Sequence, residues 1–340
     1  MKAILHIGTG KTGTTSLQEF VRQNAESLLR QGFIFPGHTN EGDQWVLALA
    51  ALDNGRPHSI TNRRPRLRDA RHRAEFVQAW LSKLFAEVDS RREQCSTAIF
   101  ISEFLCDLRE SEIRRLHAIL APRFDSVSIV LYLRDPVDYA VSMFDTALKV
   151  GQTRLAPEAG KVGGQTDYAA MLRRWVGVYG RDSISVRLFE KTELRNGDII
   201  DDFAELVGFN PTGMDRPQSM NVSLDMNGQA VLRLINSLLE QCETGSFPAG
   251  RRKRLRELFE RHFSSGPRRT ATPDLVRACE KNLSDSNEWV RRTFFPTRER
   301  LFTPRKLAAA SPTPDPMFVE STAGAIAELM SLSRRSGSFP

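Results

Sequence analysis

Between His6 and Phe20 the chain reads HIGTGKTGTTSLQEF. Glycines at 8, 10 and 13, a lysine at 11 and a run of hydroxyl residues follow a short apolar stretch and lead into a helical pattern. Backbone N–H groups from Gly10 through Lys11, Thr12, Gly13 and Thr14 to Thr15 can ring an anion. The positive end of the following helix adds to them. The hydroxyls of Thr14, Thr15 and Ser16 can donate to the same anion. A nucleoside-triphosphatase loop reads G-x-x-x-x-G-K-[ST], with lysine directly after the second glycine. Here the spacing from Gly8 to Gly13 fits, but Thr14 holds the lysine slot and Lys11 sits three residues earlier, inside the loop. The bland alternative is a plain glycine-rich turn. Strand, glycines, lysine and hydroxyl run coinciding favour the anion site.

Other residues are placed for chemistry by the elements that precede them. Arg134 ends the apolar run SVSIVLYL, and Ser142 lies on the first turns of the next helical pattern. An arginine at a strand end can fork onto a phosphate, and a serine on the adjoining helix can share it. Equally, the arginine can cap a helix and the serine can pack inward. Glu103 follows the apolar run TAIFIS, where a carboxylate can take a proton from a hydroxyl. A capping or ion-paired glutamate is the other reading. His6 reads as an inward-facing strand residue rather than a base.

The elements that must position these groups alternate. Strands are expected at 3–7, 33–35, 97–102, 126–133 and 183–189. Helices are expected from Thr15 to a stop at Gly32, and at 73–90, 111–120, after Pro136, 166–179 and 198–208. Residues 37–72 read as a polar excursion with one short helix at 44–52. Such alternation predicts an α/β fold with a central parallel sheet flanked by helices, whose ligands bind at the carboxyl ends of the strands. From about 220 the pattern is helical only: 225–243, 250–263, 272–282 and 285–293, with a weak helix near 321–332. Residues 1–305 read as a single domain and 306–340 as a Pro/Ser/Ala-rich tail.

The chain has 340 residues and a net charge of +7. Residues 251–306 hold 16 Lys/Arg against 7 Asp/Glu, so the basic excess belongs to this stretch. It serves either an anionic partner or only solvated helix faces. No stretch approaches the roughly 20 apolar residues of a membrane span. MKAILHIG is too short an apolar run for a signal peptide. Cys95, Cys106, Cys242 and Cys279 are widely spaced, which argues against a zinc site and for the reduced thiols of a cytoplasmic protein.

HIGTGKTGTTSLQ resembles the 5′-phosphosulfate-binding loop of sulfotransferases that use 3′-phosphoadenosine 5′-phosphosulfate (PAPS). RDPVDYAVS resembles that family's 3′-phosphate motif, an R-x-P with serine eight residues after the arginine. FISEF, DYAAMLRRWVGVYG and GDIIDDFAELVGF look like its bacterial branch, related to the glycan sulfotransferases. The likeness covers roughly residues 3–210, with looser similarity through NVSLDMNGQAVLRLIN to about 305. It implies a P-loop-containing α/β fold, PAPS as donor, 3′-phosphoadenosine 5′-phosphate (PAP) as product, and no metal. Carried over by position, Gly10, Lys11, Thr12, Gly13, Thr14, Thr15 and Ser16 hold the phosphosulfate, and Arg134 and Ser142 the 3′-phosphate. Lys11 and Glu103 are then catalytic, the first on the departing phosphate and the second as general base. RRTFFPTRERLFTPRK is the candidate for a late nucleotide contact. The acceptor is a hydroxyl or amine of a carbohydrate or small molecule, with neither nucleic acid nor membrane span expected. Two alternatives are a P-loop nucleotide kinase and a non-enzymatic nucleic-acid or glycan binder. The kinase reading lacks the post-glycine lysine and an apolar strand ending in Asp for Mg²⁺. The binder lacks an aromatic-interleaved basic motif.

Overall fold

A computed structural model describes residues 1–37, 44–154, 156–157, 163–217, 222–242, 249–305, 314, 316–320, 322–324 and 326. The chain divides into two compact units. The first comprises Met1–Arg134, Asp167–Met220 and Ser286–Phe302; the second comprises Asp135–Thr166, Asn221–Asp285 and Thr303–Pro340.

In the first unit five strands pair in parallel. They are β1 (Lys2–His6), β2 (Phe33–Ile34), β3 (Thr97–Ile101), β4 (Ser126–Leu133) and β5 (Ile184–Leu188), in the order β2-β3-β1-β4-β5. Side chains alternate across a strand, and the apolar residues divide accordingly. Ala3, Leu5, Ala98, Phe100, Ile129 and Leu131 pack on α3 (Trp45–Ala51), α5 (Ala70–Ser90), α6 (Glu110–Leu120) and α9 (Tyr168–Tyr179). Ile4, Ile99, Ile101, Val130 and Tyr132 pack on α1 (Thr14–Gln23), α2 (Ala25–Arg30) and α10 (Ile199–Val207). The α/β fold with a parallel sheet between helical layers is thus present. His6 pairs with Ile101 and Val130, so β1 and β3 end level with each other. β4 runs three residues further, to Leu133. That overhang lets it hold the chain beyond β1.

Tyr132, on the overhang, is anchored from below. Its hydroxyl donates to Asp202 Oδ1 at 2.7 Å. The same carboxylate receives Arg187 through Nε at 3.0 Å and Nη2 at 2.7 Å, and Arg195 N–H at 3.0 Å. Burial alone would raise the Asp202 pKa. The hydrogen bonds from Arg187, Tyr132 and the Arg195 N–H instead hold it below its ordinary value. A buried carboxylate that loses one such partner costs about 1–3 kcal/mol.

The second unit is helical where described. α7 (Pro136–Lys149), α8 (Gly163–Thr166), α11 (Met226–Cys242) and α12 (Ala249–His262) belong to it. Its core gathers Phe144, Leu148, Val231, Leu232, Ile235, Leu255 and Phe259. Lys149 is buried there, with its ammonium 2.9 Å from Asp145 Oδ2 and 3.0 Å from Glu260 Oε1. Asp135 caps α7 by accepting from Val137 N–H at 2.8 Å, and Pro136 occupies the first helical position.

Several elements differ from the sequence expectation. The first helix breaks at Asn24, whose amide donates to Phe20 O at 2.8 Å and to Asp215 O at 2.9 Å. An asparagine that bonds its own helix backbone and a distant loop competes with the ladder. The stop at Gly32 stands, in the left-handed region at φ 83°. The excursion holds a second helix, α4 (Ser59–Arg63), beside the expected α3, while residues 38–43 lie outside the described set. The helices expected at 272–282 and 285–293 are one, α13 (Pro273–Phe294). Ser286, within this helix, turns its hydroxyl outward, donating to Asp167 Oδ1 at 2.8 Å and accepting from Ala169 N–H at 3.0 Å. The weak helix near 321–332 falls largely outside the described residues, although 316–320 and 322–324 are helical.

His6 is fully buried between the rings of Tyr132 and Phe203, at centroid distances of 5.7 and 5.8 Å. Burial pushes its pKa down to about 4. The unfolded chain therefore takes up a proton near pH 6.5 that the native chain refuses until about pH 4. This contribution is fully present above the unfolded value and falls away as the pH drops toward the folded one. Stability should decline by about 2 kcal/mol between pH 7 and pH 5 on this account. His6→Phe should flatten that part of a melting-temperature profile, and an unchanged slope would contradict the assignment.

Candidate active site

The loop between β1 and α1 is tied down on one side and open on the other. Tyr132 N–H donates to Gly8 O at 3.2 Å, and Tyr132 O accepts from Thr9 N–H at 3.3 Å and Thr9 Oγ1 at 3.1 Å. The β4 overhang thus continues the ladder past the end of β1. Thr12 Oγ1 donates to Thr9 O at 2.6 Å, and Thr14 Oγ1 to the same oxygen at 3.3 Å. Both threonines are buried. Their hydroxyls brace the loop from inside, and that of Thr14 is turned to Thr9 O rather than outward. Its backbone N–H still belongs to the first turn of α1. Thr15 is exposed and Ser16 half-buried.

Glycine is required at two places. Gly13 caps α1 at φ 78°, and a methyl group there would lie 3.2 Å from Ile199 Cγ2 and 3.4 Å from Phe189 Cε2. Gly8, at φ 106°, would bring a methyl within 3.2 Å of Glu103 Cα. Lys11 adopts φ 67°, unusual for a residue with a side chain. Such conformations persist where the surroundings hold them. Here Arg134 Nη1 donates to Lys11 O at 2.8 Å. Arg134 is placed in turn by Tyr168, whose hydroxyl donates to Arg134 O at 2.6 Å, and by Phe189, whose ring centre lies 5.7 Å from the guanidinium carbon.

The helix that the loop feeds is primed for negative charge. α1 has no side-chain cap and no acidic residue in its first turn. The first N–H groups of a helix lack intrahelical acceptors, and the helix dipole concentrates positive potential there. Across the loop stands Glu103, at the start of a 3-10 turn that directly follows β3. Ser102 N–H donates to His6 O at 3.0 Å, which carries the β1–β3 pairing one residue further. Glu103 is exposed, and a methyl group on Gly10 would lie 3.8 Å from its Oε2. The carboxylate therefore lies against the glycine stretch.

The structure brings together Lys11, Arg134, Glu103 and the loop from Gly10 to Ser16. Ser142 belongs to the second unit, half-buried on α7, with its carbonyl accepting from Thr146 Oγ1 at 3.1 Å. Sequence reasoning missed Tyr132, Tyr168 and Phe189, which act on the loop through backbone bonds and a ring face that no motif marks. It also missed His58, buried in the excursion with its ring 5.9 Å from Phe104 of the Glu103 turn. Burial lowers its pKa, and its Nδ1 accepts from Ile60 N–H at 3.2 Å. The neutral ring then carries its proton on Nε2 and offers a donor, not a base. Among the described residues no group of His, Cys, Asp and Glu could hold a metal ion, and no helix is long and apolar enough to cross a membrane.

No family model matches the chain, and no curated protein does. Among solved structures it is similar to a sulfotransferase from Alicyclobacillus acidocaldarius. Identity is 18%, covering 64% of this chain and 85% of the other, with a TM-score of 0.42. At that score the likeness carries no weight for function.

Gly13→Ala should disable the loop with little damage elsewhere. The left-handed φ and the contacts with Ile199 and Phe189 together should cost about 1–3 kcal/mol. Anion binding at the loop should fall by at least about tenfold, which is 1.4 kcal/mol. Wild-type anion affinity in this variant, measured by calorimetry, would show that the loop tolerates a side chain and is not the anion cradle.

Proposed function

We propose that the protein is a sulfotransferase that moves a sulfuryl group from PAPS to a hydroxyl or amine of an acceptor. One observation carries the reading: a lysine inside the loop, in a left-handed conformation, with its carbonyl held by Arg134 and with Glu103 facing the adjacent glycine. The donor set suits a phosphosulfate. The uncapped positive end of α1, the Lys11 ammonium and the Arg134 guanidinium offer cationic and N–H donors without acidic competitors in the helix's first turn. Thr14, in the slot where a triphosphatase has lysine, is buried and turned inward, which speaks against a β,γ-phosphate and Mg²⁺ site.

In this reading the acceptor oxygen or nitrogen attacks sulfur in line with the bridging oxygen. The bond between sulfur and that oxygen breaks, and the electron pair leaves with PAP. Lys11, inside the loop, neutralises charge on the departing 5′-phosphate, an interaction that strengthens as the bond lengthens. Glu103 takes the acceptor proton from the opposite side. The positive end of α1 binds the 5′-phosphate before and after transfer. Arg134 both clamps the loop and, by the motif it belongs to, serves the 3′-phosphate.

The direct test is calorimetric titration with PAP and with ATP, each with and without Mg²⁺. PAP should bind without metal and more tightly than ATP. Binding of ATP that requires Mg²⁺, with none of PAP, would favour a kinase and overturn the reading. Arg134→Ala should weaken PAP more than adenosine 5′-phosphosulfate, which lacks the 3′-phosphate; equal losses would reduce Arg134 to a loop brace.

Kinetics separate the other roles, once labelled PAPS has identified an acceptor. Lys11→Ala should lower turnover by about 10²–10³ while PAP affinity falls less. Glu103→Gln should lower turnover by about 10² or more with PAP affinity unchanged. A Glu103→Gln enzyme that keeps full turnover would require another base or an acceptor already deprotonated.

A further inference from the structure

A cavity of about 860 Å³ lies in the first unit, with α5 on one side and α3 and α6 on the other. Its described lining includes no residue of the loop from Gly8 to Ser16, nor Glu103 or Arg134. What it binds is therefore separate from the sulfuryl-transfer reading.

The sequence of α5 shapes the cavity. Positions 73, 77, 81 and 85 recur every four residues and lie one above another on one helix face. They hold Arg73, Val77, Leu81 and Phe85, all of which line the cavity. The adjoining row, also lining it, is Ala74, Gln78, Ser82 and Ala86. Three of these four are too small to fill the space, and Val77 and Leu81 stay half-buried. Leu49, Leu52 and Phe85 give the cavity a buried apolar floor. Between Arg73 and Phe85 the helix rises about 18 Å, so the apolar row is long compared with its width.

Three arginines line this slot, and two have acidic partners. Arg115 Nη2 donates to Asp53 Oδ1 at 2.9 Å, and Arg123 Nη1 to Asp89 Oδ2 at 3.1 Å. Both arginines are exposed. Arg73 differs, being only 6% exposed. Its Nη2 donates to Asn54 Oδ1, a neutral amide. Among the described residues no carboxylate hydrogen-bonds or ion-pairs with its side chain. A guanidinium carries five N–H donors in a fixed fork. None of the Arg73 nitrogens is both enclosed by protein and without a hydrogen bond. The donors that Asn54 does not take thus open onto the cavity.

The position of Arg73 is fixed from both sides. Asp69 caps α5 by accepting from His72 N–H at 2.8 Å, and its carbonyl accepts from Arg73 N–H at 3.0 Å. The turn that carries Asn54 is fastened by Asp53 N–H, which donates to the buried Glu112 at 2.9 Å. A nearly buried guanidinium without a counter-charge is costly, and its fork matches a carboxylate through two parallel N–H bonds. One such cation admits one negative charge. The row from Val77 to Phe85 admits an aliphatic chain behind it, and the volume is that of a small-molecule site.

We infer that the cavity binds a straight-chain aliphatic carboxylate, with its headgroup on Arg73 and its chain along Val77, Leu81 and Phe85.

The full chain is titrated by calorimetry with decanoate, kept below the concentration at which it forms micelles, and with acetate and 1-decanol. Decanoate should bind once per chain and acetate should not bind. Decanol, which lacks the charge, should bind at least about tenfold more weakly than decanoate. From hexanoate to decanoate the affinity should rise about three- to fourfold per methylene. Arg73→Gln should weaken decanoate at least about tenfold. Ala74→Trp, at an exposed position, obstructs the slot and should do the same; it carries the test if Arg73→Gln does not fold. Arg71→Gln and Ala79→Trp make the same changes at exposed positions of α5 outside the lining, and should alter affinity less than about twofold.

No binding of decanoate by the wild type would overturn the proposal, as would decanol binding as tightly as decanoate. Equal losses in the control variants would do so too. Several decanoates per chain, bound regardless of Arg73 and Ala74, would mark adsorption to the surface and overturn it as well.

Discussion

The loop between β1 and α1 depends on Tyr132. Its N–H and carbonyl hold Gly8 and Thr9, so the glycine stretch begins as an extension of the sheet rather than as a free turn. Its hydroxyl ends on a buried carboxylate whose other lone pairs are taken by Arg187 and a backbone N–H. A loop meant to bind a dianion must present several N–H groups in one fixed direction, because each degree of freedom left to it is lost again on binding. The parallel register supplies that fixity. β1 ends early, β4 runs on, and the loop is pinned to the longer strand.

Pinning has an electrostatic consequence. Thr12 and Thr14 spend their hydroxyls on Thr9 O, which leaves Lys11, Arg134 and the positive end of α1 as the charge-bearing groups of the loop. Arg134 is bound to the Lys11 carbonyl, so one hydrogen bond ties the guanidinium to the loop backbone. Glu103 enters from β3 on the adjoining side and is close because Gly8 and Gly10 have no side chains to exclude it. The Glu103 carboxylate and the glycine loop therefore meet without any residue being drawn from far away in the sheet.

Much of this was legible in the residues. The strand SVSIVLYL spans the observed β4, and the glycine spacing marks the loop, because apolar period and positive-φ demand are local properties. What was not legible is tertiary. Asn24 breaks the first helix only because Asp215 gives its amide a distant partner. The two helices expected at 272–282 and 285–293 run as one, with Ser286 serving Asp167 and Ala169. Thr14 looks like a ligand donor, and only the fold shows its hydroxyl facing Thr9. The basic stretch near the end reads as charge alone. That Arg269 donates to the Gln229 amide needs the turn at Gly266 and the orientation of a buried side chain.

The most direct test of the central claim is a crystal structure of the protein with PAP bound. The account predicts the 5′-phosphate oxygens within hydrogen-bond distance, about 3 Å, of backbone N–H groups between Gly13 and Ser16 and of the Lys11 ammonium. Glu103 should face that phosphate across the space left for the sulfuryl group. A nucleotide bound away from this loop, or with its 5′-phosphate turned from Lys11, would contradict it.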